Sequence, residues 1–196
     1  KIGAIQVNVN PAYRTSELEY ALNQSGCRML VARTEYLTSK YKEMVESVRP
    51  NLSHLERVVY FDTPDWAELI AQGRGVSDAE LAGRGQSLVN TDPITIQYTS
   101  GTTGFPKGAT LSHRNILNDA RLVAEACGYS QSDRVCIPVP FYHCFGMVMG
   151  NLACSATGAA MVIPCPTFDP IAVLQSVEDE KCTSLYGVPT MFIAEL

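Results

Sequence analysis

Residues 94–112 read ITIQYTSGTTGFPKGATLS, and this stretch decides the fold class. The apolar run at 94–98 predicts a strand, and Ser112 is typical of a residue that caps the start of a helix. Residues 99–108 between them contain three glycines, four hydroxyl side chains, one proline and one lysine. A strand that leads through a glycine-rich loop to a helix is typical of an α/β protein.

Strand-like and helix-like segments alternate on both sides of this loop. Apolar or alternating runs predict strands at residues 4–9, 29–32, 58–61, 135–139, 161–163 and 184–186. Capping residues and apolar spacing predict helices at residues 16–25, 37–48, 112–127, 146–156 and 170–180, and another from residue 190. This alternation predicts an α/β fold with a mostly parallel sheet flanked by helices.

Two local signals define individual helices. Ser16 and Glu19 match a capping box, which predicts the start of the first helix, and Gly26 is expected to end it. The polar stretch at 72–90 is interpreted as a surface connection within one domain, in which Ser77 and Glu80 predict a short helix. Because the chain ends lie beside or within predicted elements, we expect residues 1–196 to be an incomplete part of a larger domain.

The composition excludes several classes of protein. The 196 residues are 46% hydrophobic and 18% charged, which is typical of a globular domain and not of a disordered or collagen-like chain. A net charge of −5 argues against a nucleic-acid-binding surface, and no apolar run is long enough to predict a transmembrane segment. The seven cysteines form no C-x-x-C pair, which favours free, mostly buried thiols in a reducing intracellular compartment.

The glycine-rich loop fits a polyphosphate ligand. Glycines let successive backbone amides approach one anion, hydroxyl side chains donate hydrogen bonds, and Lys107 supplies a compact positive charge. A Walker-type loop is excluded, because Pro106 stands where that motif needs its second glycine and Gly108 follows the lysine. Judged by composition alone, a plain turn explains the loop equally well.

Residues 99–108, TSGTTGFPKG, resemble the signature of the adenylate-forming enzymes. These are the acyl- and aryl-CoA synthetases, the luciferases and the adenylation domains of peptide synthetases. The resemblance continues, in the order found in the family, at residues 10–20, 111–115, 141–146 and 187–190. It is strongest with acyl-CoA synthetases that act on medium-chain fatty acids. It implies that residues 1–196 are part of an N-terminal AMP-binding domain, with a C-terminal domain beyond Leu196.

The resemblance also implies a reaction. ATP and a carboxylic acid would form an acyl-adenylate and pyrophosphate, and coenzyme A would then displace AMP to give a thioester. Mg²⁺ would accompany ATP, near Thr102 or Thr103, and no metal site made by protein ligands alone is expected. Lys107 would pair with the phosphates as a supporting catalytic residue. The implied phosphate-binding residues are Thr99, Ser100, Gly101, Thr102, Thr103, Gly104, Phe105, Pro106, Lys107 and Gly108.

His143 is the second candidate catalytic residue. Considered without the resemblance, it is most simply a loop histidine with satisfied hydrogen bonds, and its spacing from the neighbouring cysteines matches no zinc pattern. The resemblance implies that it contacts the substrate carboxylate or the transferring phosphate. The apolar residues beside His143 are candidates for lining a pocket for the acyl chain. For each of them taken alone, packing in the protein core is an equally good explanation. The candidate pocket residues are Tyr142, His143, Phe145, Gly146 and Met147.

Three functions remain open at this point. The favoured one is an ATP-dependent fatty acyl-CoA ligase, of which residues 1–196 are inactive alone because the main catalytic lysine lies beyond them. The alternatives are an adenylation domain that loads a carrier protein and a non-catalytic nucleotide-binding module. Small molecules are the expected partners, namely a fatty acid, ATP and coenzyme A, and no nucleic acid is expected. A mitochondrial-matrix location is implied by the resemblance alone.

Overall fold

The computed structural model describes residues 2–99 and 106–196. The chain divides into two compact units, Lys1–Thr110 and Leu111–Leu196. Strands β1 to β5 are Gln6–Asn8, Met29–Ala32, Arg57–Tyr60, Pro93–Thr99 and Lys107–Ser112. The helices of the first unit are α1 Thr15–Ser25, α2 Tyr41–Val48, α3 Pro64–Gly73 and α4 Asp78–Gln86, with a 3₁₀ turn at Arg49–Asn51.

Two small sheets organise the first unit. One has the strand order β1-β4-β5, with β1 parallel to β4, and the other pairs β2 with β3 in parallel. The apolar faces of α1 and α2 pack with β2 and the segment after α2 to form a buried core. Its members are Leu18, Leu22, Leu30, Val45, Val48, Leu52 and Leu55. Burial of these side chains holds α1 and α2 against β2.

The local signals in the first unit are partly confirmed. Gly26 ends α1 in the left-handed conformation with φ 62°, and Ser77 caps α4 by accepting from the Glu80 amide. The predicted start of α1 is wrong, because the Glu17 carboxylate accepts from the Arg14 amide at 3.1 Å and the helix begins at Thr15. Helix α3, which has Pro64 in its first turn, was not predicted.

The second unit contains the remaining elements. They are α5 His113–Cys127, β6 Arg134–Cys136, a π-helix at Phe145–Leu152, α6 Ala153–Thr157, β7 Ala160–Val162, α7 Pro170–Asp179, β8 Ser184–Leu185 and α8 Pro189–Glu195. The sheet order is β7-β6-β8, and both pairings are parallel. Val135, Ile137, Val139, Cys154 and Ala159 form its buried core. The predicted α/β class with mostly parallel strands is confirmed, although the strands within residues 2–99 and 106–196 form three small sheets.

Capping residues correctly predicted α5. The apolar patterns further along the chain were less accurate in predicting a strand and a helix. The Ser112 hydroxyl accepts from the Asn115 amide at 3.2 Å, and Gly128 ends the helix with φ 69°. The strand predicted at 135–139 stops at Cys136, just before Ile137-Pro138, since proline has no N–H to donate to a ladder. The helix predicted at 146–156 is a π-helix followed by α6.

All seven cysteines lie within the described residues, and all are free. Only Cys136 and Cys154 are buried, so the expectation of mostly buried thiols is wrong. Burial raises the pKa of Cys136 to about 12, which keeps it a neutral thiol. Within residues 2–99 and 106–196, no helix has the length and apolar character needed to cross a membrane.

Candidate functional site

The described ends of the glycine-rich loop meet at its base. Thr99 is the last residue of β4 and Lys107 the first of β5, and the Thr99 hydroxyl donates to the Lys107 carbonyl at 3.5 Å. The Lys107 side chain is exposed, whereas Pro106 is half-buried. The loop residues that lie outside the described residues are Ser100, Gly101, Thr102, Thr103, Gly104 and Phe105. The loop base therefore presents a lysine to solvent, and its contact with a phosphate stays a prediction.

Gly108 has a packing role that the sequence did not reveal. A Cβ atom at this position would lie 2.9 Å from Ile96 Cγ2 and 3.3 Å from Tyr98 Cζ, both on the neighbouring strand β4. The absence of a side chain thus lets β5 lie close against β4. No local pattern shows this, because the obstructing groups come from a different strand.

Tyr98 anchors β4 to α1. Its hydroxyl donates to the Ala21 carbonyl at 3.0 Å, and burial raises the pKa of the phenol, so the donor stays protonated. Gln97, one residue earlier, is buried and donates to the Thr95 hydroxyl at 3.1 Å. These contacts fix the strand that carries the start of the loop.

His143 lies in a tight turn between β6 and the π-helix. Its backbone N–H donates to the Pro140 carbonyl at 3.2 Å, and its carbonyl accepts from the Met147 amide at 3.0 Å. The Phe145 amide donates to the ring nitrogen Nδ1 at 3.1 Å, and the Cys144 sulfur lies 3.7 Å from the same nitrogen. The His143 side chain is exposed, so the turn presents an oriented imidazole to solvent.

The candidate pocket residues occupy different environments. Tyr142 is 42% exposed, Met147 is half-buried, and Gly146 is buried. Phe145 is half-buried against the core of the second unit, with its ring centroid 5.3 Å from that of Tyr186. Phe145 therefore has a packing role already, and an acyl-binding role for these residues stays a prediction.

Tyr186, to which the sequence assigned no role, anchors the π-helix. Its hydroxyl donates to the Met149 carbonyl at 2.9 Å, and burial raises its pKa strongly, so the donor remains protonated at neutral pH. A second tyrosine, Tyr129, shares a 2.7 Å hydroxyl–hydroxyl bond with Ser184 on β8. The helix that follows the His143 turn is thereby tied to the end of the sheet.

The described part of the chain offers no group of three or more His, Cys, Asp or Glu side chains that could hold a metal ion. Oxygen donors that suit a hard cation occur instead as hydroxyls in the loop at 99–103. Any metal bound there would need further ligands from its substrate.

The family of AMP-binding enzymes matches residues 1–196, and this chain belongs to that family. The medium-chain acyl-CoA ligase ACSF2, mitochondrial, of Danio rerio is 38% identical over 98% of this chain. The acyl-CoA ligase sidI of Aspergillus fumigatus is 37% identical over 100% of it. YngI of Bacillus subtilis (strain 168), whose name provisionally assigns it as an acyl-CoA synthetase, is 45% identical over the whole chain. The predicted resemblance is confirmed, and the chain spans 35–39% of the length of these relatives.

Solved structures show the same fold. The anthranilate CoA ligase AuaEII in complex with anthranoyl-AMP has a TM-score of 0.75 and 27% identity, over 99% of this chain and 37% of that one. A long-chain-fatty-acid-CoA ligase, FadD1, from Archaeoglobus fulgidus has a TM-score of 0.70 and 27% identity, over 96% of this chain and 36% of that one.

Proposed function

We propose that this chain is part of an ATP-dependent acyl-CoA ligase that activates medium-chain fatty acids. The carboxylate would attack the α-phosphate of ATP to give an acyl-adenylate and pyrophosphate. The thiol of coenzyme A would then attack the acyl carbon and release AMP. The observation that carries the proposal is the family match over residues 1–196. The names of the relatives, acyl-CoA ligases among them, support this choice of reaction.

The loop at 99–108 is the proposed site for the phosphates of ATP. The first step brings a carboxylate towards a triphosphate, so fixed cations and hydrogen-bond donors would stabilise its transition state. Lys107 is exposed at the closed base of the loop and is proposed to pair with the phosphates there. Thr102 and Thr103 would donate hydroxyl hydrogens to the β- and γ-phosphates.

Mg²⁺ is the proposed inorganic cofactor, and coenzyme A is the second substrate. Mg²⁺ prefers hard oxygen ligands and is usually bound through substrate phosphates with few protein ligands, so a hydroxyl from Thr102 or Thr103 fits its chemistry. When bound, the ion would reduce the repulsion between the attacking carboxylate and the triphosphate.

His143 is proposed to contact the substrate carboxylate or the transferring phosphate. Its exposed imidazole is held by the Phe145 amide, which supports a role in binding an external ligand. It is not needed as a general base, because a carboxylate nucleophile is already ionised near neutral pH. Tyr142, Phe145, Gly146 and Met147 are proposed to contribute to the acyl site near it in sequence.

Residues 1–196 are proposed to form part of the N-terminal AMP-binding domain, including the phosphate loop. The adenylation lysine and the hinge that the resemblance implies would follow Leu196. The chain spans only 35–39% of the relatives' length, which supports the expectation that it forms no thioester by itself.

The test is carboxylate-dependent exchange of labelled pyrophosphate into ATP without coenzyme A, using the full-length parent protein. Acids from acetate to palmitate would be compared. The proposal expects exchange that depends on the acid, with a maximum at medium chain length. Exchange with the maximum at another length would correct the substrate class alone. ATP binding without exchange for any acid would favour the non-catalytic nucleotide-binding module and reject the ligase.

An adenylation domain that loads a carrier protein would show the same exchange. The second step distinguishes this adenylation domain from a ligase, because only a ligase would transfer the acyl group to free coenzyme A. Small molecules are the proposed partners throughout. The proposed mitochondrial-matrix location is supported only by the names of the ACSF2 relatives, while the relative at 45% identity is bacterial.

A further inference from the structure

The hydrogen bonds of the His143 ring all fall on one nitrogen among the residues that the structure describes. The Phe145 amide donates to Nδ1 at 3.1 Å, and the Cys144 sulfur lies 3.7 Å from the same atom. A backbone amide can only donate, so Nδ1 must be unprotonated to accept this bond. A neutral imidazole with an unprotonated Nδ1 carries its proton on Nε2.

We infer that His143 acts as a neutral hydrogen-bond donor through Nε2–H, and that Phe145 and Gly146 are the positioning residues that hold it in this state. This inference rests on the proposed ligase function and deepens it. The acceptor would be an oxygen of the substrate carboxylate or of the transferring phosphate. With the opposite tautomer, Nε2 would present a lone pair to that anionic oxygen and repel it.

Gly146 controls the geometry of the turn. A Cβ atom there would lie 2.5 Å from the Pro140 carbonyl oxygen and 2.8 Å from the Val139 carbonyl oxygen. Both obstructing atoms belong to the backbone, so a side chain would force the turn itself to move. The Pro140 oxygen is also the acceptor for the His143 amide, at 3.2 Å. A displacement of Pro140 would therefore disturb the residue that carries the imidazole.

The contact between Phe145 and Tyr186 supports the same arrangement. The Phe145 side chain packs against the Tyr186 ring, which fixes the residue whose amide orients the imidazole. The Tyr186 hydroxyl in turn donates to the Met149 carbonyl within the π-helix. The amide that selects the tautomer is thus attached to the core, while the ring that it orients remains exposed.

Two substitutions of His143 separate the ring nitrogens. A glutamine side chain can place an amide N–H near the position of Nε2, whereas the shorter asparagine amide reaches only the position of Nδ1. In the pyrophosphate exchange assay with full-length protein, we expect His143→Gln to retain most of the wild-type kcat. His143→Asn and His143→Ala should each lose roughly ten- to hundredfold, the range for a hydrogen bond to a charged group.

A double-mutant cycle tests Gly146. If Gly146 acts through His143, Gly146→Ala should lower kcat by a factor similar to that of His143→Ala, and the double variant should be little worse than either. Gly150→Ala is the control in the same π-helix, since the three atoms nearest to its Cβ all belong to the Ile137 side chain and not to the backbone of the His143 turn, the nearest at 3.0 Å. Its kcat should be unchanged.

The outcomes are distinct. The inference would be wrong, while the ligase proposal stood, if His143→Asn retained activity and His143→Gln lost it. It would also be wrong if the double variant lowered kcat by the product of the factors for His143→Ala and Gly146→Ala. The glutamine and asparagine variants decide the question even if Gly146→Ala fails to fold, because His143 is exposed. A wild-type protein without carboxylate-dependent exchange would overturn both the inference and the ligase proposal.

Discussion

Strand β5, at Gly108, and the π-helix, at Gly146, each contain a glycine that excludes a side chain, but the obstructing atoms differ. At Gly108 they are the side-chain atoms of Ile96 and Tyr98, which can shift with their rotamers. At Gly146 they are backbone carbonyl atoms of Pro140 and Val139, which move only with the chain. The segment around Gly146 therefore specifies its geometry more rigidly, which suits His143, a residue whose ring orientation matters. Beside Gly108, β5 begins with Lys107, whose point charge needs less exact placement.

The greatest loss of activity is expected at the start of β5, where Lys107 supplies a positive charge. Lys107→Ala removes a cation that is proposed to pair with the phosphates, so adenylation should fall roughly ten- to hundredfold, as for loss of a charged hydrogen bond. The measurement is pyrophosphate exchange by the full-length protein.

Lys42→Ala is the matched control for this loss of charge. Lys42 is an exposed lysine on α2 with a 3.9 Å ion pair to Glu46, and its removal should leave exchange unchanged. An unchanged rate for Lys107→Ala would remove this lysine from the mechanism.

The two glycines should differ in their effect on stability. Overpacking a well-filled site costs about 1–3 kcal/mol, and Gly146→Ala should fall at the upper end because backbone atoms obstruct it. Gly108→Ala should fall at the lower end, because Ile96 and Tyr98 can rearrange. Thermal unfolding of the full-length variants measures the difference. A larger loss for Gly108→Ala would contradict the proposed distinction between the two glycine sites.

Two tyrosines offer a finer comparison. Tyr186→Phe and Tyr98→Phe each remove one partly buried donor, with an expected cost of about 1 kcal/mol in the free energy of unfolding. Tyr98→Phe should cost less, because the Ala21 carbonyl also accepts from the Ser25 hydroxyl at 2.7 Å. Chemical denaturation of both variants checks the order, and equal or reversed losses would show that the second donor to the Ala21 carbonyl, the Ser25 hydroxyl, is unimportant.

The smallest effect appears at alkaline pH. Burial raises the pKa of Tyr186 and, to a lesser degree, of Tyr98. Each phenol therefore contributes its full stability below the unfolded-state pKa of about 10, and that stability is lost as the pH rises towards the folded-state pKa. The wild-type melting temperature should fall more steeply above about pH 10 than that of Tyr186→Phe. Parallel curves would show that the phenol is not protected by burial.

The sequence predicted the features that depend on local chemistry. Helix α5 was predicted with both ends, because Ser112 and Gly128 satisfy backbone groups within a few residues of themselves. Helix α3 could have been found, since Pro64 at its start is a known signal. Strand β5 was missed because KGATLS has no apolar alternation, and its partner β4 supplies the order.

The candidate residues show the same limit. The motif around residues 99–108 and the histidine at 143 were evident in the sequence, since the pattern of residue types is enough to show the resemblance. The role of Gly146 was not, because the carbonyl groups that exclude its side chain approach it only in the folded turn. The π-helix was also predicted as an ordinary helix, since an apolar stretch with two glycines does not distinguish the two.

We propose that the parent protein joins a carboxylate to the α-phosphate of ATP. This proposal is tested most directly by giving the full-length protein a fatty acid labelled with ¹⁸O in both carboxylate oxygens, together with ATP and coenzyme A. Attack on the α-phosphate makes one labelled oxygen the bridge of the acyl-adenylate, and it leaves with AMP when the thiol attacks the acyl carbon. We expect one ¹⁸O in each AMP and none in pyrophosphate. Label in phosphate or pyrophosphate, or AMP without label, would contradict the proposal.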